Sequence, residues 1–271
     1  MFEIVTDNTA DLYEGYYEQN PARRLPFSFT LEDRFYERDD EYPIELFYEK
    51  LKAGKLVRTS QINPHDAEVE FEKVLQEGKD VLYIGFSSGM SGSFDNISYI
   101  AKGLRIKYPE RKIIVVDTLS GAGGEGLLFY YARKMQQEGK SMEEIAEWVE
   151  NNKLNAHHCF IVSDLINLRN SGRISTLAAL FGMIVHINPV LELTREGKIG
   201  IVTKSIGRKK SIAEMVKFFK QNYIPSDNDF ILGHTNCPEE AHAFGAQIEQ
   251  ISGGVPVKYG YINRLVSGCA G

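Results

Sequence analysis

Short runs of β-branched and aromatic residues alternate along the chain with stretches whose apolar positions recur every three or four residues, the periodicities of buried strands and amphipathic helices. Val81 to Phe86 is such a run, and it empties into Ser87-Ser88-Gly89-Met90-Ser91-Gly92-Ser93. Beyond that turn, Ile97, Ile100, Ala101 and Leu104 share one face of a helix predicted over Asn96 to Lys107. A strand ending where a helix begins leaves unpaired N–H groups facing the crevice. With the hydroxyls of Ser87, Ser88, Ser91 and Ser93 beside them, an oxyanion is the natural guest.

The same pattern extends to both sides. Phe2 to Val5 predicts a strand leading into Thr6-Asp7-Asn8-Thr9-Ala10-Asp11, and the alternation of Leu25, Phe27, Phe29 and Leu31 suggests a small hairpin within residues 23–42. Helices are predicted over Pro43 to Lys52 and Pro64 to Glu77, with Thr59 and Ser60 as loop residues ahead of the second. A strand over Ile113 to Val116 and helices over Leu127 to Glu138 and Ser141 to Asn152 follow. From about residue 156 the texture changes. Strands are predicted over Phe160 to Ser163, Ile187 to Leu193, Lys198 to Ser205, Phe230 to Gly233 and Val255 to Tyr261, with helices over Ile174 to Gly182, Lys209 to Gln221 and Glu239 to Ile251. The short turn Arg195-Glu196-Gly197 implies antiparallel pairing. The expected class is therefore α/β with two domains: residues 1–155 with a mostly parallel sheet and flanking helices, and residues 156–271 as α+β with a mixed or antiparallel sheet. A length of 271 residues, 43% of them apolar, suits two cores.

Charge and chemistry narrow the function. A formal charge of −6 without a Lys/Arg-rich run argues against non-specific binding of nucleic acid or anionic membranes. Met-Phe-Glu-Ile-Val-Thr-Asp carries acids where a secretory signal carries Lys or Arg, and the longest apolar run, Leu177 to Ile187, is too short to span a bilayer. Cys159, Cys237 and Cys269 are odd in number and share no metal-like spacing, which suits reduced thiols in a cytoplasm and no metal site. A literal G-x-G-x-x-G stands at Gly121 to Gly126. A second helix follows where a dinucleotide fold needs a strand ending in an acid, so close helix–strand packing explains these glycines better, and no cofactor is expected. Gly85-Phe86-Ser87-Ser88-Gly89 matches G-x-S-x-G, and Asp117 and His234 follow at strand ends. A serine esterase using Ser87 is thus an alternative. It is weakened because Asp117 closes the very next strand and because Gly89-Met90-Ser91-Gly92 prolongs the turn where an elbow is already helical.

Five segments stand in the order and approximate spacing of a known family: Thr6-Asp7-Asn8-Thr9-Ala10-Asp11-Leu12, Thr59-Ser60-Gln61, Ser87 to Ser93, Asn170-Ser171-Gly172-Arg173-Ile174-Ser175 and Ile187-Asn188-Pro189-Val190-Leu191. Over nearly its whole length the chain resembles the DegV family of bacterial fatty-acid-binding proteins. The resemblance implies two α/β domains holding one long-chain fatty acid, such as palmitate, in a tunnel between them. It implies no chemistry by the protein itself. Members of this kind present the acid to a separate ATP-dependent fatty acid kinase, which makes the acyl phosphate for phospholipid synthesis; transient membrane contact is compatible with that role. On this resemblance Thr59 and Ser91 are the carboxylate-binding hydroxyls, and Ser60, Gly92, Arg173 and Cys269 are secondary candidates; ordinary helix capping is the competing role for Thr59 and Ser91 and the favoured one for Ser87, Ser88 and Ser93, and a surface salt bridge is the alternative for Arg173. A binding module for another apolar carboxylic acid is a further alternative. The chain departs from the family at Ser171, where a glycine is usual, and at Val266-Ser267-Gly268-Cys269-Ala270-Gly271, where similar proteins have a His-x-Gly-Pro-Gly-like segment. Either Cys269 takes the place of that histidine or the segment is absent.

Overall fold

The computed structural model describes residues 1–38, 41–162, 165–173, 188–225 and 229–270. The first half runs β1 (Phe2–Asp7), α1 (Tyr16–Gln19), β2 (Arg23–Leu25), β3 (Ser28–Leu31), β4 (Arg34–Tyr36), α2 (Ile44–Lys52), β5 (Val57–Ser60), α3 (Pro64–Gln76), β6 (Asp80–Gly85), α4 (Ser93–Lys107), β7 (Ile113–Asp117), α5 (Ala122–Gln137) and α6 (Met142–Asn152). The second runs β8 (Cys159–Ile161), α7 (Ile166–Asn170), β9 (Val190–Leu193), β10 (Ile199–Thr203), α8 (Arg208–Asn222), β11 (Phe230–His234), α9 (Pro238–Ile251), β12 (Val257–Tyr261) and α10 (Arg264–Ala270). The helix expected over Ile174 to Gly182, Ser163 and the expected strand start at Ile187 lie outside the described residues.

The strands β2-β1-β6-β7 form a wholly parallel sheet in that order. From β1 the chain goes outward to β2 on one side, and from β6 outward to β7 on the other. The order therefore reverses between β1 and β6, and the crevice of this open sheet lies beyond Asp7 and Gly85. Successive residues of these strands point to opposite faces. Val5, Val81 and Tyr83 join Phe29, Phe47 and Phe71 in one core, whereas Ile4, Leu82 and Ile84 join Phe129 and Ile145 in the other. A second small sheet, β4-β3-β5, is antiparallel. In the other half β10-β9-β8 is antiparallel and β11-β12 is parallel, so the strand directions there are mixed as expected. Val162, Leu168, Leu191 and Ile199 pack into a smaller core of their own.

Three local expectations need correction. Thr59 and Ser60 belong to β5, paired with Phe29 and Ser28 of β3, rather than to a loop; Val57-Arg58-Thr59-Ser60 is too short to declare an alternation. Helix α5 begins at Ala122 instead of Leu127, so Gly123, Gly124 and Gly126 are helical. Their helix weakness is overridden by packing, because a Cβ on Gly126 lies 1.9 Å from the Asp11 carbonyl oxygen. Helix α10 was not expected, since Arg264 to Ala270 shows no clear amphipathic period. Asn263 starts it: its Oδ1 accepts from the N–H groups of Leu265 and Val266, each at 2.9 Å.

Asn263 also ties the halves together. Its Nδ2 donates to the Asp11 carboxylate at 3.0 Å and to the Thr9 carbonyl at 3.2 Å. Nearby, Glu14 N–H donates to the Tyr259 carbonyl at 2.9 Å, extending the contact to β12. Gly126→Ala should push α5 off the Asp11 main chain and cost about 1 to 3 kcal/mol of stability. Urea unfolding of the two proteins checks this, and equal midpoints would show that α5 can shift freely.

Candidate functional site

Asp7, at the end of β1, is fully buried at the switch point. Its Oδ2 accepts from Tyr83 Oη at 2.9 Å and Phe86 N–H at 3.0 Å, and its Oδ1 from Thr9 N–H at 2.9 Å. Three donors suit an ionised carboxylate, although burial pushes its pKa upward against them. The Thr9 hydroxyl sits between two acids, hydrogen-bonded to Asp7 Oδ1 and, at 2.8 Å, to Glu125 Oε2. One hydroxyl carries one proton, so it can donate to only one of them. With Asp7 supplied by three other donors, Glu125 holds the extra proton, gives it to Thr9 Oγ1, and Thr9 donates in turn to Asp7. Burial pushes the Glu125 carboxyl well above its usual range, and the Asp7 charge reinforces the shift.

Beyond this network lies a cavity of about 720 Å³. Its walls draw on both halves of the molecule: Phe27 and Phe86 from the first, Phe160, Met215, Phe218 and Phe244 from the second, with α5 along one side. Thr9, Thr59, Ser60, Ser91, Arg173 and Cys269 also line it. Three of the predicted site residues take part in two contacts. Thr59 Oγ1 lies 3.3 Å from Cys269 Sγ on α10, and Arg173 Nε donates to the Met90 carbonyl at 3.2 Å, next to Ser91. The two loci are held together because Ser93 Oγ accepts from Ile62 N–H at 3.2 Å and Asn96 Nδ2 donates to Gln61 Oε1 at 2.9 Å. Among the described residues Arg173 makes no ion pair, and its other bond, from Nη1, goes to the Ser171 carbonyl at 2.8 Å. Gly92 stands at the start of α4 without lining the cavity, and a Cβ there would come within 2.8 Å of Gln61 Nε2.

The hydroxyls of Ser91 and Ser93 form a pair: their Oγ atoms lie 3.1 Å apart and either can donate, while Ser93 Oγ accepts from Ile62 N–H and Ser91 Oγ from Ser93 N–H, each at 3.2 Å. When Ser93 is the donor of the pair, the Ser91 proton is free for another acceptor. The main-chain donors of the turn are mostly consumed, contrary to the expectation of a free N–H cradle. The N–H groups of Ser87, Ser88, Gly89, Met90, Ser91 and Ser93 all donate within the protein.

Ser87 is completely buried, and its hydroxyl donates to the Gly197 carbonyl at 2.8 Å. Asp117 accepts from the N–H groups of Ser88 and Leu119. Neither is hydrogen-bonded to His234 among the described residues, so the Ser-Asp-His order of the sequence does not become a triad. Among the described residues, no group of three His, Cys, Asp or Glu could hold a metal ion, and no helix is long and apolar enough to cross a membrane.

The family model "Uncharacterised protein, DegV family" matches residues 1–271. The chain belongs to the DegV family. A DegV domain-containing protein of Clostridium perfringens is 33% identical over 252 residues, covering 92% of this chain and 87% of the relative. A fatty-acid-binding DegV protein from Thermus thermophilus is 25% identical in sequence, with a TM-score of 0.84 covering 100% of this chain and 95% of that one. A stearic-acid-binding protein from Eubacterium ventriosum, 20% identical with a TM-score of 0.87 over 100% and 95% of the two chains, shares the fold.

In this DegV chain the Thr6-Asp7-Asn8-Thr9 motif marked the family but carried no assigned role, and Glu125 was hidden among glycines taken as packing. A buried acid two residues from a threonine, at the end of a strand, was the available signal. The proton on Glu125 has a measurable sign. Its folded-state pKa lies above the unfolded value of about 4.3, so its contribution to stability is fully present below that pH and is lost as pH rises through the folded pKa. Glu125→Gln keeps a donor toward Thr9 and cannot ionise. The parent's urea midpoint should fall relative to that of Glu125→Gln between about pH 5 and 8. Parallel midpoints across that range would mean Glu125 is already ionised.

Proposed function

We propose that the protein binds one long-chain fatty acid in the cavity, with the carboxylate held by Thr59 and Ser91. The observation that carries this reading is a largely apolar 720 Å³ cavity with a hydroxyl cluster and an arginine in its wall. The Thermus relative, named as fatty-acid-binding and similar over the whole chain, supports it. Burying about 15 methylenes supplies on the order of 12 kcal/mol before ordering costs, enough to retain the ligand through purification. An ionised carboxylate leaving water needs hydrogen bonds in return. Ser91 O–H becomes available when Ser93 donates to Ser91 Oγ, and Thr59 O–H once the Cys269 thiol turns its proton to Thr59 Oγ1. Arg173, beside Met90, adds positive potential, and Ser60 flanks the same locus.

Residues 1–155 and 156–271 act on this reading as two domains closing on the chain. The protein performs no chemistry on its ligand. It presents the acid to a separate ATP-dependent fatty acid kinase in the cytoplasm, for phospholipid synthesis; the motif resemblance supports this step. Cys269 lies beside Thr59, which supports its standing in for the family's C-terminal histidine rather than the segment being absent.

Mass spectrometry of an organic extract should find a long-chain fatty acid; a nucleotide or sugar filling the cavity would sink the reading. The head-group assignment has its own test. Thr59→Ala and Ser91→Ala should each weaken binding by about 1.5 to 3 kcal/mol, roughly ten- to a hundredfold. The double variant should fall short of the sum, because both bonds converge on one group. A fatty alcohol of equal length should respond much less. Equal losses for acid and alcohol would place the carboxylate elsewhere.

A further inference from the structure

One stretch of the cavity wall is polar without an evident reason. His158 lines the cavity, its Nδ1 is buried without a hydrogen-bond partner, and no bond from the described residues reaches the ring. Ser120 Oγ, also buried, has no partner either. Both lie against Gly124 of α5, where a Cβ would meet Ser120 Oγ at 2.2 Å and His158 Nδ1 at 3.2 Å. The wall thus keeps a glycine where any side chain would displace these two groups. Nδ1 is sealed in the wall while the residue lines the cavity, which leaves Nε2 as the ring nitrogen available to a ligand. The ring packs edge-on to Phe160 at 5.7 Å. Burial holds the imidazolium pKa down at about 4, so the ring is neutral, with one N–H donor and one acceptor.

A plain alkyl chain passing this point would strip water from Nε2 and return nothing, leaving another buried polar atom unpaired. An oxygen on the chain would return the bond. Resting on the fatty-acid reading above, we propose that the preferred ligand is an oxygenated long-chain acid, with a hydroxyl or keto group along its chain received by His158 Nε2.

The test uses the delipidated full chain, stearate, a set of hydroxystearates substituted at different mid-chain positions, and His158→Phe, which fits beside Phe160. At least one hydroxystearate should bind the parent more tightly than stearate. His158→Phe should weaken that isomer about tenfold and strengthen stearate about threefold, because a hydroxyl loses its partner and an alkyl chain loses an unpaired neighbour. If stearate binds and every hydroxystearate is weaker in both proteins by the same ratio, the oxygenated-chain proposal is overturned and the fatty-acid reading stands. If no acid binds the parent, both fall. Should His158→Phe not fold, ¹⁵N-histidine spectra of the parent decide: a His158 Nε2 resonance that moves with the hydroxystearate but not with stearate supports the proposal, and no difference between them overturns it.

Discussion

Everything around the cavity hangs on a carboxylate kept out of water. Asp7 ends the central strand at the point where the sheet reverses its strand order, and it is satisfied by main-chain and side-chain donors from its own turn and from β6. A buried charge is tolerated only with such a set of partners, and removing them leaves a penalty of several kcal/mol. The two strand ends that frame the crevice therefore cannot drift apart, and the loops they carry, Thr9 on one side and Ser87 to Ser93 on the other, keep a fixed spacing.

The second acid makes this hub directional. A proton on Glu125 passes its hydrogen bond through Thr9 to Asp7, which couples the start of α5 to the end of β1. Helix α5 forms one wall of the cavity, so the same proton that satisfies the hub also sets where that wall stands. The price is a helix with three glycines near its start, two of which have no room for a side chain: a Cβ on Gly124 would strike Ser120 Oγ and one on Gly126 the Asp11 carbonyl.

The parallel sheet was legible in the sequence because its strands are short apolar runs followed by polar turns, and helices such as α6 declared themselves by a capping box, Ser141 with Glu144. Elements held by distant partners were not legible. Helix α10 depends on Asn263, whose side chain is oriented by Asp11, and β5 exists because β3 pairs with it. The Ser-rich turn was found, but its N–H groups could not be seen to be spent on Ser120, Asp117 and Ser87, since those acceptors come from elsewhere in the fold or from the turn's own curvature. Thr59 and Ser91 stood out only through a family resemblance; hydroxyl residues are too common for spacing alone to single them out. His158 gave no signal, because burial and the lack of a partner are properties of a folded wall.

Thr59 meets Cys269 across 210 positions of sequence. Contacts of such separation pay their loop-closure entropy before they return any energy, and they form late in folding. The cavity lining on β5 is thus completed only after the sheet and its helices are in place. A chain halted before α10 docks would expose an open apolar trough, and the first molecule to cover it, whether α10, a lipid or another unfolded chain, determines whether that chain matures or aggregates.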